Sequence, residues 1–125
     1  IEDMGLPMAA LMLAADAIVS DSSNCAFQFL ALDRPIVLID ALDREQAGES
    51  FEAGSIEWAW RDVGEGVKDV SDLASAVGRS LNDPTLGADR RAFYRAKLFG
   101  DLTDGRAAER VAMNIENLEL KRETR

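Results

Sequence analysis

Histidine is absent from the 125 residues, so the commonest general base of enzymes is unavailable to this chain. Cysteine occurs once, at Cys25, which excludes an internal disulfide and fits a reducing compartment. Without histidine or a second cysteine, neither a Ser-His-Asp set nor a metal cluster built on those residues can form. No apolar run approaches the roughly 20 residues needed to span a bilayer. No basic leader precedes an apolar segment, so a signal peptide is not expected. Positive charge is also scarce: 14 Lys and Arg stand against 23 Asp and Glu, a formal net charge of −9. That balance argues against a nucleic-acid partner, because nonspecific binding there rests on neutralising phosphates. A single phosphate group held by backbone amides and a few arginines remains open.

Against these absences stand 47% hydrophobic residues, enough for a globular core. The central stretch runs from Asp16 to Asp40. It reads as a strand from Ala17 to Ser20, a polar turn Asp21-Ser22-Ser23-Asn24, a helix to about Leu32 and a second strand from Ile36 to Ile39. Such a βαβ unit places the turn at the carboxyl edge of a parallel sheet, where ligands collect. Unpaired amides at a helix start there suit a phosphate. Ahead of this unit, Pro7 suits the first turn of a helix whose Met8, Leu11, Met12 and Ala15 share one face. Asp33-Arg34-Pro35 ends the central helix, since Pro35 disfavours helical geometry at Arg34.

Residues 40–62 are less regular: Asp40, Asp43, Arg44, Glu45, Glu49 and Glu52 are dense charges, and Gly48 and Gly54 break any long helix. In an extended segment Trp58 and Trp60 would face one side, either toward a ligand or over the sheet edge. Gly64-Glu65-Gly66 reads as a turn and Val67 to Val70 as a short edge strand. Ser71 is the expected cap of a helix through Leu81 with Leu73, Val77 and Leu81 buried. A further helix spans about Leu86 to Leu98. The last helix, capped by Thr103 or Asp104, is expected to bury Ala107, Val111, Ile115 and Leu118, before a frayed polar end from Lys121 to Arg125.

The candidate site residues each carry two readings. Ser22, Ser23 and Asn24 can aim hydroxyl or amide donors at phosphate oxygens, or simply cap the helix; both uses draw on the same unpaired amides. Asp21 is awkward beside a phosphate and is expected to bond backbone amides and shape the turn. Gln28 can accept from a sugar hydroxyl or lie on a solvated face. Arg106 and Arg110, spaced i, i+4, can jointly meet an anionic group or pair with Glu109 or Glu116. Cys25 is expected to be a small buried hydrophobe.

Two segments together resemble a known family. In AADAIVSDSSNCAFQFLALDRPIVLID, residues Asp21, Ser23, Phe27, Asp33, Arg34 and Pro35 follow the pattern "aDvlisDySS…lDrPiif". In LTDGRAAERV, residues Asp104, Gly105, Ala107, Glu109, Arg110 and Val111 follow "DGkAseRv". In that order they resemble the C-terminal region of CDP-glycerol glycerophosphotransferases, GT-B-type enzymes of teichoic acid and capsule polymer synthesis. The turn is also similar to the "TDSGG" turn of UDP-N-acetylglucosamine 2-epimerases and other GT-B enzymes. Three positions depart from the family pattern: Ser22 replaces an aromatic, Asn24 a serine and Gln28 an acid.

The resemblance implies a three-layer α/β, Rossmann-like half-domain with a short parallel sheet, the latter part of a GT-B nucleotide-binding domain. It implies that Ser22, Ser23 and Asn24 face the diphosphate of CDP-glycerol, with Gln28 at the ribose-contacting position. No metal or further cofactor is expected, and no catalytic residue, because the family's catalytic histidines lie upstream. The acceptor would be a polyol phosphate or glycan, and the enzyme cytoplasmic, peripheral on the inner face of the cell membrane. Residues 1–125 are thus expected to be one domain from a larger two-domain transferase, inactive alone. That expectation also draws on the start at Ile1 and on the helix preceding the first strand. A nucleotide-sugar enzyme, or a non-catalytic module whose turn only caps a helix, are the alternatives.

Overall fold

Ile36–Ile39 (β2) forms the middle of the molecule, with Ile36, Val37 and Leu38 all buried. An unbroken Ile-Val-Leu-Ile run suits a parallel strand covered on both faces. A computed structural model describes residues 6–40 and 54–123, and side chains as far as Leu118. Ile18–Ser20 (β1) and Glu65–Val67 (β3) flank β2 in the order β1-β2-β3, both parallel to it. Ile18 pairs with Ile36 and Ser20 with Leu38; on the other side Val37 pairs with Glu65 and Ile39 with Val67. The Asp40 amide donates to the Val67 carbonyl at 2.7 Å, continuing the ladder beyond the strand.

Alternation along β2 sends its side chains into two cores. Ile36 and Leu38 join Ala26, Phe27, Phe29, Leu30, Val63 and Tyr94 on one face; Val37 joins Val67 and Ala76 on the other. The first core lies under Cys25–Phe29 (α2) and Ala88–Phe99 (α5), the second under Leu73–Asn82 (α4). Helix, sheet and helix therefore stack as three layers, the expected Rossmann-like half-domain.

Met8–Ala14 (α1) follows Pro7 and packs on the first core through Met12; Ala15, just beyond the helix, joins it there. Arg34 draws this helix to the sheet by donating to the carbonyls of Leu13 and Ala15. These are carbonyls a helix end leaves without intrahelical partners. Asp33 ends the 3-10 turn Leu30–Leu32 in the left-handed region, at φ 53°, before Arg34-Pro35 opens β2.

Several expectations give way between Gly54 and the last helix. Trp58 and Trp60 do not share one side of an extended segment: Ile56–Ala59 (α3) is helical and ends at Trp60. Trp60 packs on the first core, stacking on Tyr94 at a centroid distance of 4.8 Å and meeting Phe27 edge-on at 6.2 Å. The charges between Asp43 and Glu52 lie outside the described residues. The third strand begins at Glu65 rather than Val67, so Gly64-Glu65-Gly66 is not a turn. Gly64 is required because a Cβ there would lie 2.5 Å from the Ile36 carbonyl oxygen, in the neighbouring strand.

Ser71 does not cap α4. Asp69 accepts from the Ser71 amide and hydroxyl, and Val70–Asp72 forms a 3-10 turn into the helix. The buried positions of α4 are Ala76 and Ser80, with Leu73 and Val77 beside them, while Leu81 is exposed.

Ala107–Glu123 (α6) departs most from expectation. Val111, Ile115 and Leu118 are each more than half exposed, and Ala107 is exposed too. Helical periodicity marks an apolar face, but only a neighbouring element can bury it, and among the described residues α6 has none in substantial contact. The helix also continues through Glu123, past Lys121, where a frayed end was expected. Among the described residues no helix is long and apolar enough to cross a membrane.

Candidate functional site

The polar turn follows β1 directly, so the sheet's parallel register puts Asp21-Ser22-Ser23-Asn24 at its carboxyl edge. Within the turn, backbone groups are held by side chains at short range. The Ser22 amide donates to the Asp21 carboxylate at 2.6 Å, and the Cys25 amide to the Ser23 hydroxyl at 3.2 Å. Ser23 therefore serves the helix start. Asn24 occupies the cap position with helical backbone angles, φ −57° and ψ −18°, and its side chain makes no capping bond. A capping residue normally has extended geometry, so helix capping does not account for Asn24.

Asp21, Ser23, Asn24 and Gln28 are exposed, and Ser22 is half-buried. Cys25 is half-buried as well, not the fully buried hydrophobe expected, because it begins α2 at the rim of the sheet. The helix behind the turn is short: five α-helical residues continue into one 3-10 turn. Its dipole is correspondingly modest, and the turn's own amides and side chains are the principal polar groups.

Nothing in the spacing of the sequence marks Arg61, yet its guanidinium organises this edge. It lies in the 3-10 turn Arg61–Val63 ahead of β3. Nε and Nη2 donate to Asp40 Oδ1 at 3.1 and 2.8 Å, Nη2 also to the Ile39 carbonyl at 2.7 Å, and Nη1 to the Asp21 carbonyl. One side chain thus joins the end of β2 to the turn after β1. A pairing of Asp40 with an arginine 21 positions on follows from tertiary proximity alone.

Arg106 and Arg110 are engaged within their own segment. Arg106 Nε donates to Glu109 at 2.8 Å, and the Arg110 guanidinium pairs with the Asp104 carboxylate. No hydrogen bond or ion pair links either arginine to the Asp21–Asn24 turn among the described residues. Asp104 also accepts from the Arg106 amide at 3.1 Å. The Arg110 side chain, then the Arg106 amide, hold the Asp104 carboxyl below the usual carboxylate range. Arg110 Nη1 is buried and has no hydrogen-bond partner among the described residues.

A cavity of about 340 Å³ opens at the opposite, amino edge of the sheet, between Pro35, Gly64 and Ser80. Its charged groups are already committed: Arg79 pairs with Glu65, and Arg91 with Asp33 and the carbonyls of Leu86 and Pro84. The carboxyl edge keeps the uncommitted polar groups and remains the candidate site. The family described as CDP-Glycerol:Poly(glycerophosphate) glycerophosphotransferase matches residues 4–117. No curated protein and no solved structure gives a significant match.

Proposed function

The chain belongs to the CDP-glycerol:poly(glycerophosphate) glycerophosphotransferase family, and from that premise we propose that its carboxyl-edge turn holds the CDP-glycerol donor. The family match over residues 4–117 carries this reading. The position of the Ser22-Ser23-Asn24 turn at the sheet's carboxyl edge supports it, because ligands of open parallel sheets bind there. In the proposed arrangement the backbone amides of Ser23 and Asn24, the Ser22 and Ser23 hydroxyls and the Asn24 side-chain amide donate to the diphosphate. Gln28 meets a ribose hydroxyl. Asp21 stays on the Ser22 amide and shapes the turn.

In the proposed reaction an acceptor hydroxyl attacks the phosphorus that carries glycerol. The bond from that phosphorus to the bridging oxygen breaks and CMP departs, its negative charge met by the donors of the turn. The hydroxyl's proton passes to a base outside this histidine-free chain. No metal or further cofactor is assigned. The acceptor is a polyol phosphate or glycan of a teichoic acid or capsule polymer. The complete enzyme is a GT-B transferase, cytoplasmic and peripheral on the inner membrane face. Arg110, through its unpartnered Nη1, is the anion-binding candidate of the second motif, with Arg106 one turn before it.

Titration calorimetry of the complete protein with CDP-glycerol, UDP-sugars and GDP-sugars tests the reading. Saturable binding of CDP-glycerol alone is the expected result. Binding of a UDP- or GDP-sugar instead would move the chain to a nucleotide-sugar enzyme, and no binding of any of them would leave a non-catalytic module. Ser23→Ala with Asn24→Ala is expected to cost about 2 kcal/mol of donor affinity, two hydrogen bonds to a charged group, in a protein that stays folded but melts somewhat lower because the Cys25 amide loses the Ser23 hydroxyl.

A further inference from the structure

We infer that Arg61 is the positioning residue of the donor turn, setting its place on the sheet edge without contacting the donor. This rests on the donor reading above. The Arg61 side chain is only 15% exposed, and its guanidinium spends all but one of its N–H donors on Asp40 Oδ1, the Ile39 carbonyl and the Asp21 carbonyl. Those acceptors come from separate places in the chain: the end of β2 and the first residue after β1. Without the bridge, the turn is held only at its two ends, by β1, whose three residues end at Ser20, and by α2, which begins at Cys25 and packs on the first core. Short-range bonds shape the turn internally, Ser22 to Asp21 and Cys25 to Ser23, and neither reaches β2 as the Arg61 bridge does.

Charge adds a second role. Asp21 and Asp40 are two carboxylates on an edge that is to receive a diphosphate. Arg61 pairs with Asp40 directly and so offsets one of them. Lysine at this position would keep the charge but, as a single ammonium, could not present a planar fork to three acceptors. Arg61→Lys and Arg61→Met therefore separate the bridge from the charge.

The complete protein is titrated with CDP, and amide exchange is followed at residues 22–25. Arg61→Lys is expected to weaken CDP binding about tenfold and to speed exchange at those amides by a similar factor, with the melting temperature retained. Arg61→Met should weaken binding further. In a background already carrying Ser23→Ala and Asn24→Ala, the effect of Arg61→Lys should shrink to less than half on a logarithmic scale, since it acts through that turn. Equal losses in both backgrounds, or CDP affinity unchanged in Arg61→Lys, would overturn the inference while leaving the donor reading in place. Failure of the unmodified protein to bind CDP would overturn the donor reading itself, and this inference with it.

Discussion

Asp33 combines a backbone duty with an electrostatic one. At φ 53° it occupies the left-handed region, which Asp and Asn tolerate better than other residues with a Cβ. Its carboxylate also lies 3.4 Å from Arg91 Nε, and Arg91 is only 3% exposed. Asp33→Asn keeps the backbone preference and removes the charge, for an expected loss of about 1 kcal/mol. Asp33→Ala removes both, for about 2 kcal/mol. Urea denaturation at unchanged slope measures the difference, and equal losses for the two variants would show that the backbone contributes nothing. The DRP triplet was legible as a helix stop from Pro35. That Asp33 would face Arg91, 58 positions on, was not, because nothing local links them.

Among the elements, β3 depends on a single missing side chain. Gly64 carries φ −136°, so space rather than conformational freedom demands glycine: a Cβ would meet the Ile36 carbonyl and side chain at 2.5 and 2.9 Å. Gly64→Ala must push β3 off β2 or twist it, at an expected cost of about 2 kcal/mol. Gly54→Ala, with no described residue within 4 Å of its added Cβ, is the control and should stay within about 0.5 kcal/mol of the parent. Thermal and chemical denaturation read both; a neutral Gly64→Ala would refute the close approach. The two glycines at positions 64 and 66 look like a turn in sequence because glycine marks turns far more often than strand contacts. Likewise α4 shows its stripe one position off, since Leu81 fits the period but lies beyond the reach of the sheet.

Across the whole molecule, carboxylates hold the approaches to three helices. Asp69 accepts from Ser71 before α4, Asp83 from Thr85 ahead of α5, and Asp104 from Arg110 and Arg106 before α6. Those hydrogen bonds lower the pKa of each carboxyl in the folded chain: the Ser71 amide for Asp69, the Thr85 hydroxyl for Asp83 and the Arg110 side chain for Asp104. Lowered values mean that their stabilising share is complete above the unfolded carboxylate's pKa and is lost as pH falls through the folded one. Stability should thus hold from neutral pH to about pH 4 and decline below it, with the carboxyl titrations followed by NMR. Midpoints at or above those of an Asp peptide would contradict the three contacts. By itself the sequence determined the βαβ unit, the strand Ile36–Ile39, the polar turn after β1 and the family, because apolar runs, turn residues and ordered motifs are local signals. Only tertiary structure decided that Trp60 belongs to the core, that β3 starts at Glu65 and that α6 keeps its apolar face exposed. It alone brought Arg61 across to Asp21, Ile39 and Asp40, since a contact between distant residues is set by how elements pack, which no local pattern records.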